Sequence, residues 1–135
     1  MLAHPHARST ESMFRLLYLE SDLALVTALR KELRKPDYRL VTCSDRESAI
    51  LFLKSEIPYH LLLIDLEWDS EGLKLTRLAH SQRHRKRLAI ILVTAAESGK
   101  ELQVLTRRAG VTHWVAKTPD MGAVSEAIRQ LVEGA

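Results

Sequence analysis

Four stretches of this chain lead into side chains that could do chemistry together. Tyr59-His60-Leu61-Leu62-Leu63-Ile64-Asp65-Leu66 is an almost continuous apolar run with one carboxylate near its C-terminal end. Phe14 to Leu19 runs into Glu20-Ser21-Asp22, Leu88 to Val93 into Thr94, and Val111 to Ala116 into Lys117. Carboxylates, a hydroxyl and an ammonium make a coherent chemical set. Paired carboxylates offer a hard divalent cation the oxygen ligands it takes, and Mg²⁺ keeps several waters beside one or two of them. Such a cation and a lysine together can neutralise a phosphoryl group as it approaches a nucleophilic carboxylate. The hydroxyl can hydrogen-bond a phosphoryl oxygen.

The elements around these residues decide whether they meet. The apolar runs ending at Asp65 and Thr94 predict strands buried on both faces, as a parallel sheet covered by helices requires. Phe14 to Leu19 reads as the first strand, Tyr38 to Cys43 as an alternating strand nearer an edge, and Val111 to Ala116 as the fifth. Helical patterns separate them. Asp22 to Lys35 places Val26, Leu29 and Leu33 on one face and is stopped by Pro36. Ser44-Asp45-Arg46-Glu47 has capping-box spacing and opens a helix through Lys54. Glu71 to about Arg83 is a third helix. Ser98-Gly99-Lys100-Glu101 opens a fourth, which stops at Ala109-Gly110. Pro119-Asp120 sets up the last, where Val124, Ile128 and Leu131 share a face. Five β-α units predict a doubly wound five-stranded parallel sheet with helices on both faces. Right-handed crossovers favour the flavodoxin-like strand order 2-1-3-4-5, with its crevice between strands 1 and 3. That topology would bring Glu20 and Asp65 to one mouth at the carboxyl edge.

The totals bound the rest. The chain has 135 residues, 46% hydrophobic and 27% charged, which predicts one domain over 13–135 behind a flexible leader at 1–12. The leader has no apolar core segment and does not read as a signal peptide, and no apolar run approaches a membrane span. The single cysteine, Cys43, allows no internal disulfide and reads as a small buried residue. These features predict a cytoplasmic protein with no membrane role. A net charge of +3 permits nucleic-acid contact without arguing for it. The basic run His80 to Arg87 reads as a solvated helix end, and it lacks the interleaved aromatics that stack on bases. There is no Gly-rich phosphate loop, so a nucleotide-binding enzyme is disfavoured.

From Phe14 to about Val132 the chain resembles a response-regulator receiver domain. By position, Asp65 matches that family's phosphoacceptor, Thr94 its strand-4 hydroxyl and Lys117 its strand-5 lysine. Trp114 matches the aromatic switch position three residues before that lysine, and Glu71-Gly72-Leu73-Lys74-Leu75 looks like the opening of its third helix. The resemblance implies a phosphoacceptor signalling domain and not a classical enzyme. It implies Mg²⁺ held by Glu20, Asp22 and Asp65, and a phosphoryl group supplied by a sensor histidine kinase or phosphotransfer protein. It also implies a surface near the helix before strand 5, strand 5 and the last helix, read by an output domain, an effector or a second copy.

Three departures from the family pattern stand out. Ser21 replaces the second acid of the strand-1 pair, which removes the usual direct metal ligand. Ser21 itself reads as a helix N-cap. Asp22, one residue on, could reach the metal or simply favour the helix start. The family's Lys-Pro becomes Lys117-Thr118-Pro119, where a cis bond after the lysine would be costly. Glu67, two residues past Asp65, adds negative charge at the mouth. These departures favour the alternative, a phosphorylation-independent pseudo-receiver acting as a protein-binding module.

Overall fold

The apolar run around Asp65 forms the central strand of a parallel sheet. The computed structural model describes residues 13–20, 22–34, 37–65, 70–94, 104, 107–108, 110–116 and 118–133, with 65 and 70–73 described in the backbone alone. Its strands are β1 (Phe14–Leu19), β2 (Tyr38–Cys43), β3 (Leu61–Asp65), β4 (Ala89–Thr94) and β5 (His113–Ala116). The helices α1 (Leu23–Glu32), α2 (Arg46–Lys54), α3 (Ser70–Ser81) and α4 (Gly122–Val132) alternate with them, and a 3₁₀ turn at Arg83–Arg85 follows α3. The five strands lie in the order β2-β1-β3-β4-β5, all parallel, as the alternation of patterns predicts.

The strands' alternation splits the core in two. Leu17, Leu19, Leu62, Ile64, Ile90 and Leu92 face one way and pack with Ala49 and Leu53 of α2 and Leu75 and Ala79 of α3. Leu16, Tyr18, Leu61, Leu63, Ile91 and Val93 face the other way, toward α1 and α4. Leu61, Leu62, Leu63 and Ile64 are each 0% exposed. Burying one such side chain contributes about 1.5–3 kcal/mol, so this strand alone fixes which face each helix must cover.

Several boundaries differ from the sequence reading, each for a local reason. α1 begins at Leu23 because Asp22 is its N-cap, accepting from the Ala24 amide at 2.9 Å; the cap is therefore not Ser21. α2 is capped by Asp45, which accepts from the Ser48 amide at 2.7 Å, and not by a Ser44–Glu47 box. A short acidic side chain one residue before the helix already meets the orphan amide. β5 starts at His113 because Thr112 Oγ1 takes the Ile90 amide at 3.1 Å in place of a ladder carbonyl.

The helix expected over 98–109 lies mostly outside the described residues. The Gly110 stop is described, with φ +106°, and a Cβ there would run into the His80 ring at Nδ1. Both facts require glycine. The leader at 1–12 also lies outside the described residues.

The basic run 80–87 does not behave as one solvated end. Arg85 is only 3% exposed and turns inward. Its Nε donates to Leu53 O at 3.0 Å, and its Nη2 to Ser55 O at 2.9 Å and Phe52 O at 3.3 Å. Those carbonyls cluster at the end of α2, where Phe52 O also accepts from the Ser55 hydroxyl at 2.6 Å and Ser55 O meets His84 Nε2 at 2.8 Å, and a guanidinium fork suits such a cluster. The same guanidinium lies 5.0 Å from the centre of the Tyr59 ring.

Candidate functional site at the carboxyl edge

Strand register brings the candidate residues to one edge. Leu19 pairs with Ile64, so Glu20 leaves β1 beside Asp65 at the end of β3. Asp65 pairs with Val93, and Thr94 pairs with Ala116, the last residue of β5 before Lys117. Because β2 lies on the far side of β1, the β1–β3 crevice is where the chain order reverses, the position at which open α/β sheets bind ligands. The side chain of Asp65 and all of Ser21, Glu67 and Lys117 lie outside the described residues.

Glu20 is 5% exposed, and both of its carboxylate oxygens have donors. The Tyr18 hydroxyl donates to Oε1 at 3.3 Å, and the Asp22 amide donates to Oε2 at 3.0 Å. A buried carboxylate needs such donors, since an unpaired charge in the interior is strongly disfavoured. Asp22, placed by the sequence reading among the metal ligands, has its Oδ1 on the Ala24 amide. Among the described residues no three His, Cys, Asp or Glu side chains gather as a metal cluster. The donor set is nonetheless all carboxylate oxygen, and each hydrogen-bonded oxygen keeps a further lone pair. That chemistry fits a hard divalent cation with water in its remaining positions.

Thr94 is buried, 6% exposed, at the end of β4. Trp114 is half-buried on β5 and packs against the core on the α2–α3 side, opposite Leu92 in register. Beyond Lys117 the chain makes a tight, internally bonded turn. Asp120 Oδ1 accepts from the Gly122 amide at 2.9 Å and from the Thr118 hydroxyl at 2.8 Å, and these bonds, the amide's first, hold the Asp120 carboxyl below the usual carboxylate range. Met121 follows with φ 59°, a left-handed conformation for a fully buried side chain. That conformation costs a non-glycine residue about 1–2 kcal/mol. Burying the Met side chain outweighs it, since truncating a core Met to Ala costs about 2–5 kcal/mol. No described peptide bond is cis. Thr118 and Asp120 thus supply a turn of their own where the receiver pattern has Lys-Pro.

The residue that sequence reasoning missed is Tyr18. Its signal was present, since residues two apart on a strand share a face and Tyr18 stands two before Glu20.

No family model matches the chain, and no curated protein sequence matches it. Solved structures do. The fold is similar to a response regulator from Thermotoga maritima, at 16% identity and a TM-score of 0.76, covering 90% of this chain and 98% of that one. It is similar to the phosphorylated cyanobacterial phytochrome response regulator RcpA, at 15% identity and 0.79, covering 91% and 96%. A third similar structure is the receiver domain of a Pseudomonas aeruginosa sensor histidine kinase, solved with a magnesium ion coordinated in its active-site cleft. It matches at 20% identity and 0.74, covering 90% and 98%. This chain has the fold of response-regulator receiver domains.

Proposed function

We propose that this chain is a receiver domain that accepts a phosphoryl group on Asp65. The observation that carries the reading is the placement of Asp65, Glu20 and Thr94 at adjoining strand ends of the β1–β3–β4 edge, with Glu20 and Thr94 both buried. In the transfer, an Asp65 oxygen attacks phosphorus, the bond from phosphorus to the donor breaks, and the leaving group departs with its electron pair. The donor is the phosphohistidine of a sensor kinase or phosphotransfer protein. The Thr94 hydroxyl donates to a phosphoryl oxygen and the Lys117 ammonium offsets its charge. Glu20 and Asp65, with Asp22, would hold Mg²⁺, which neutralises the charge gathering between carboxylate and phosphoryl group. Thr94 and the Trp114 strand beside it then bias the surface that an output domain, an effector or a second copy reads.

A second reading has its own observations. Ser21 stands where a second acid would bind metal, both Glu20 oxygens have internal donors, and Asp22 caps α1. These favour a pseudo-receiver that binds a protein partner without phosphorylation. Titration with Mg²⁺, followed by tryptophan fluorescence and reversed with EDTA, separates the two. The receiver reading predicts a saturable, reversible response weakened by Asp65→Asn. A flat response up to tens of millimolar Mg²⁺, a generous ceiling for a site with one or two carboxylates, favours the pseudo-receiver.

A further inference from the structure

The end of β1 carries one carboxylate where two would share the work, and that carboxylate is a glutamate. Glutamate has one more rotatable bond than aspartate, so a bare Glu20 would lose more side-chain freedom on holding a ligand. Tyr18 addresses this directly. It is 0% exposed in the α1–α4 core, and its hydroxyl reaches Glu20 Oε1 at 3.3 Å while the Asp22 amide holds Oε2 at 3.0 Å. A rigid phenol anchored in the core and a backbone amide grip the two oxygens from different sides.

We propose that Tyr18 is a positioning residue for Glu20: the Tyr18–Glu20–Asp22 amide contact fixes the one strand-1 carboxylate in the rotamer that presents it at the cation-binding edge. Outer hydrogen-bond partners of this kind orient ligands, and losing one typically weakens metal affinity by about 10–100-fold. The metal half of the inference rests on the receiver reading; the positioning half does not.

The test uses amide NMR on the full chain for wild type, Tyr18→Phe and Tyr59→Phe. Tyr59 is the matched control, a buried tyrosine whose hydroxyl has no hydrogen-bond partner among the described residues. Mg²⁺ affinity is read from the shifts of the Glu20 and Asp22 amides, and hydrogen exchange at the Asp22 amide is read without metal. Tyr18→Phe should weaken Mg²⁺ binding by about 10-fold or more. It should also speed Asp22 exchange by about 10-fold, because a freed Glu20 no longer protects that amide. Tyr59→Phe should change neither. A merely structural role would lower the melting temperature of Tyr18→Phe and leave both readouts in place. Wild-type Mg²⁺ affinity in Tyr18→Phe overturns the proposal. If wild type itself binds no Mg²⁺, the receiver reading fails, and the Asp22 amide alone decides: faster exchange upholds the positioning of Glu20 and unchanged exchange overturns it.

Discussion

Cys43 shows how a single residue's environment settles its chemistry. It ends β2 at the sheet edge yet is 7% exposed, with its thiol toward the Tyr18 carbonyl at 3.9 Å. Burial pushes the thiol from 9.0 up to about 12. The folded chain therefore keeps a proton that the unfolded chain releases, so this contribution to stability is full below pH 9.0 and is lost as pH rises from there through about 12. A thiol reagent at pH 8 should leave native Cys43 almost unlabelled and label it rapidly in denaturant, because the thiolate is the reactive form. Rapid native labelling would contradict the burial. The bland sequence reading of Cys43 agrees with this environment. For Glu20 the spacing from Tyr18 shows only a shared strand face, and that the tyrosine is a partner and not one more core aromatic emerges when the side chain is followed to its hydroxyl.

At the scale of elements, the strands were legible and the helix ends were less so. β1 and β2 have the limits their patterns predict, since runs of apolar and β-branched residues bounded by polar turns leave little freedom. The caps shifted by a residue because Ser21, Asp22, Ser44 and Asp45 are all competent cap residues, and only the backbone path selects one. Arg85 was unreadable for a stronger reason. Six of the eight residues from 80 to 87 are His, Arg or Lys, and nothing in their types says which one turns inward. Its three bonds to the end of α2 and its place over Tyr59 tie the 3₁₀ turn to that helix. Arg85→Ala should lower stability by about 1–3 kcal/mol in denaturant titration, since it strips Leu53 O of its Arg85 donor and leaves a void over Tyr59. Arg85→Lys should recover only part of this, because an ammonium cannot reproduce the fork. A neutral Arg85→Ala would contradict the anchoring role.

For the molecule as a whole, the topology does the organising. Two cores, one on each face of the sheet, hold β1, β3 and β4 so that their carboxyl ends cannot shift independently. α1 and α4 are tied across the same face by Arg129, whose Nη2 donates to Glu32 O at 3.0 Å, and by the Ser125 hydroxyl on Glu32 Oε1 at 3.1 Å. Among the described residues no helix is long and apolar enough to cross a membrane. The strand order and the edge on which Asp65 lies were legible because right-handed crossovers leave few alternatives for five β-α units. The loop chemistry around Lys117 was less legible, since the Thr118–Asp120 turn replaces the Lys-Pro of the receiver pattern with a local hydrogen-bond network that residue types alone do not announce. The central claim is that this edge moves a phosphoryl group onto Asp65. Intact mass after incubation with a small phosphodonor, with and without Mg²⁺, tests it on wild type and Asp65→Asn. One Mg²⁺-dependent phosphoryl adduct on wild type, absent from Asp65→Asn, is the predicted result. No adduct at high donor and Mg²⁺, or an adduct that persists in Asp65→Asn, would contradict it.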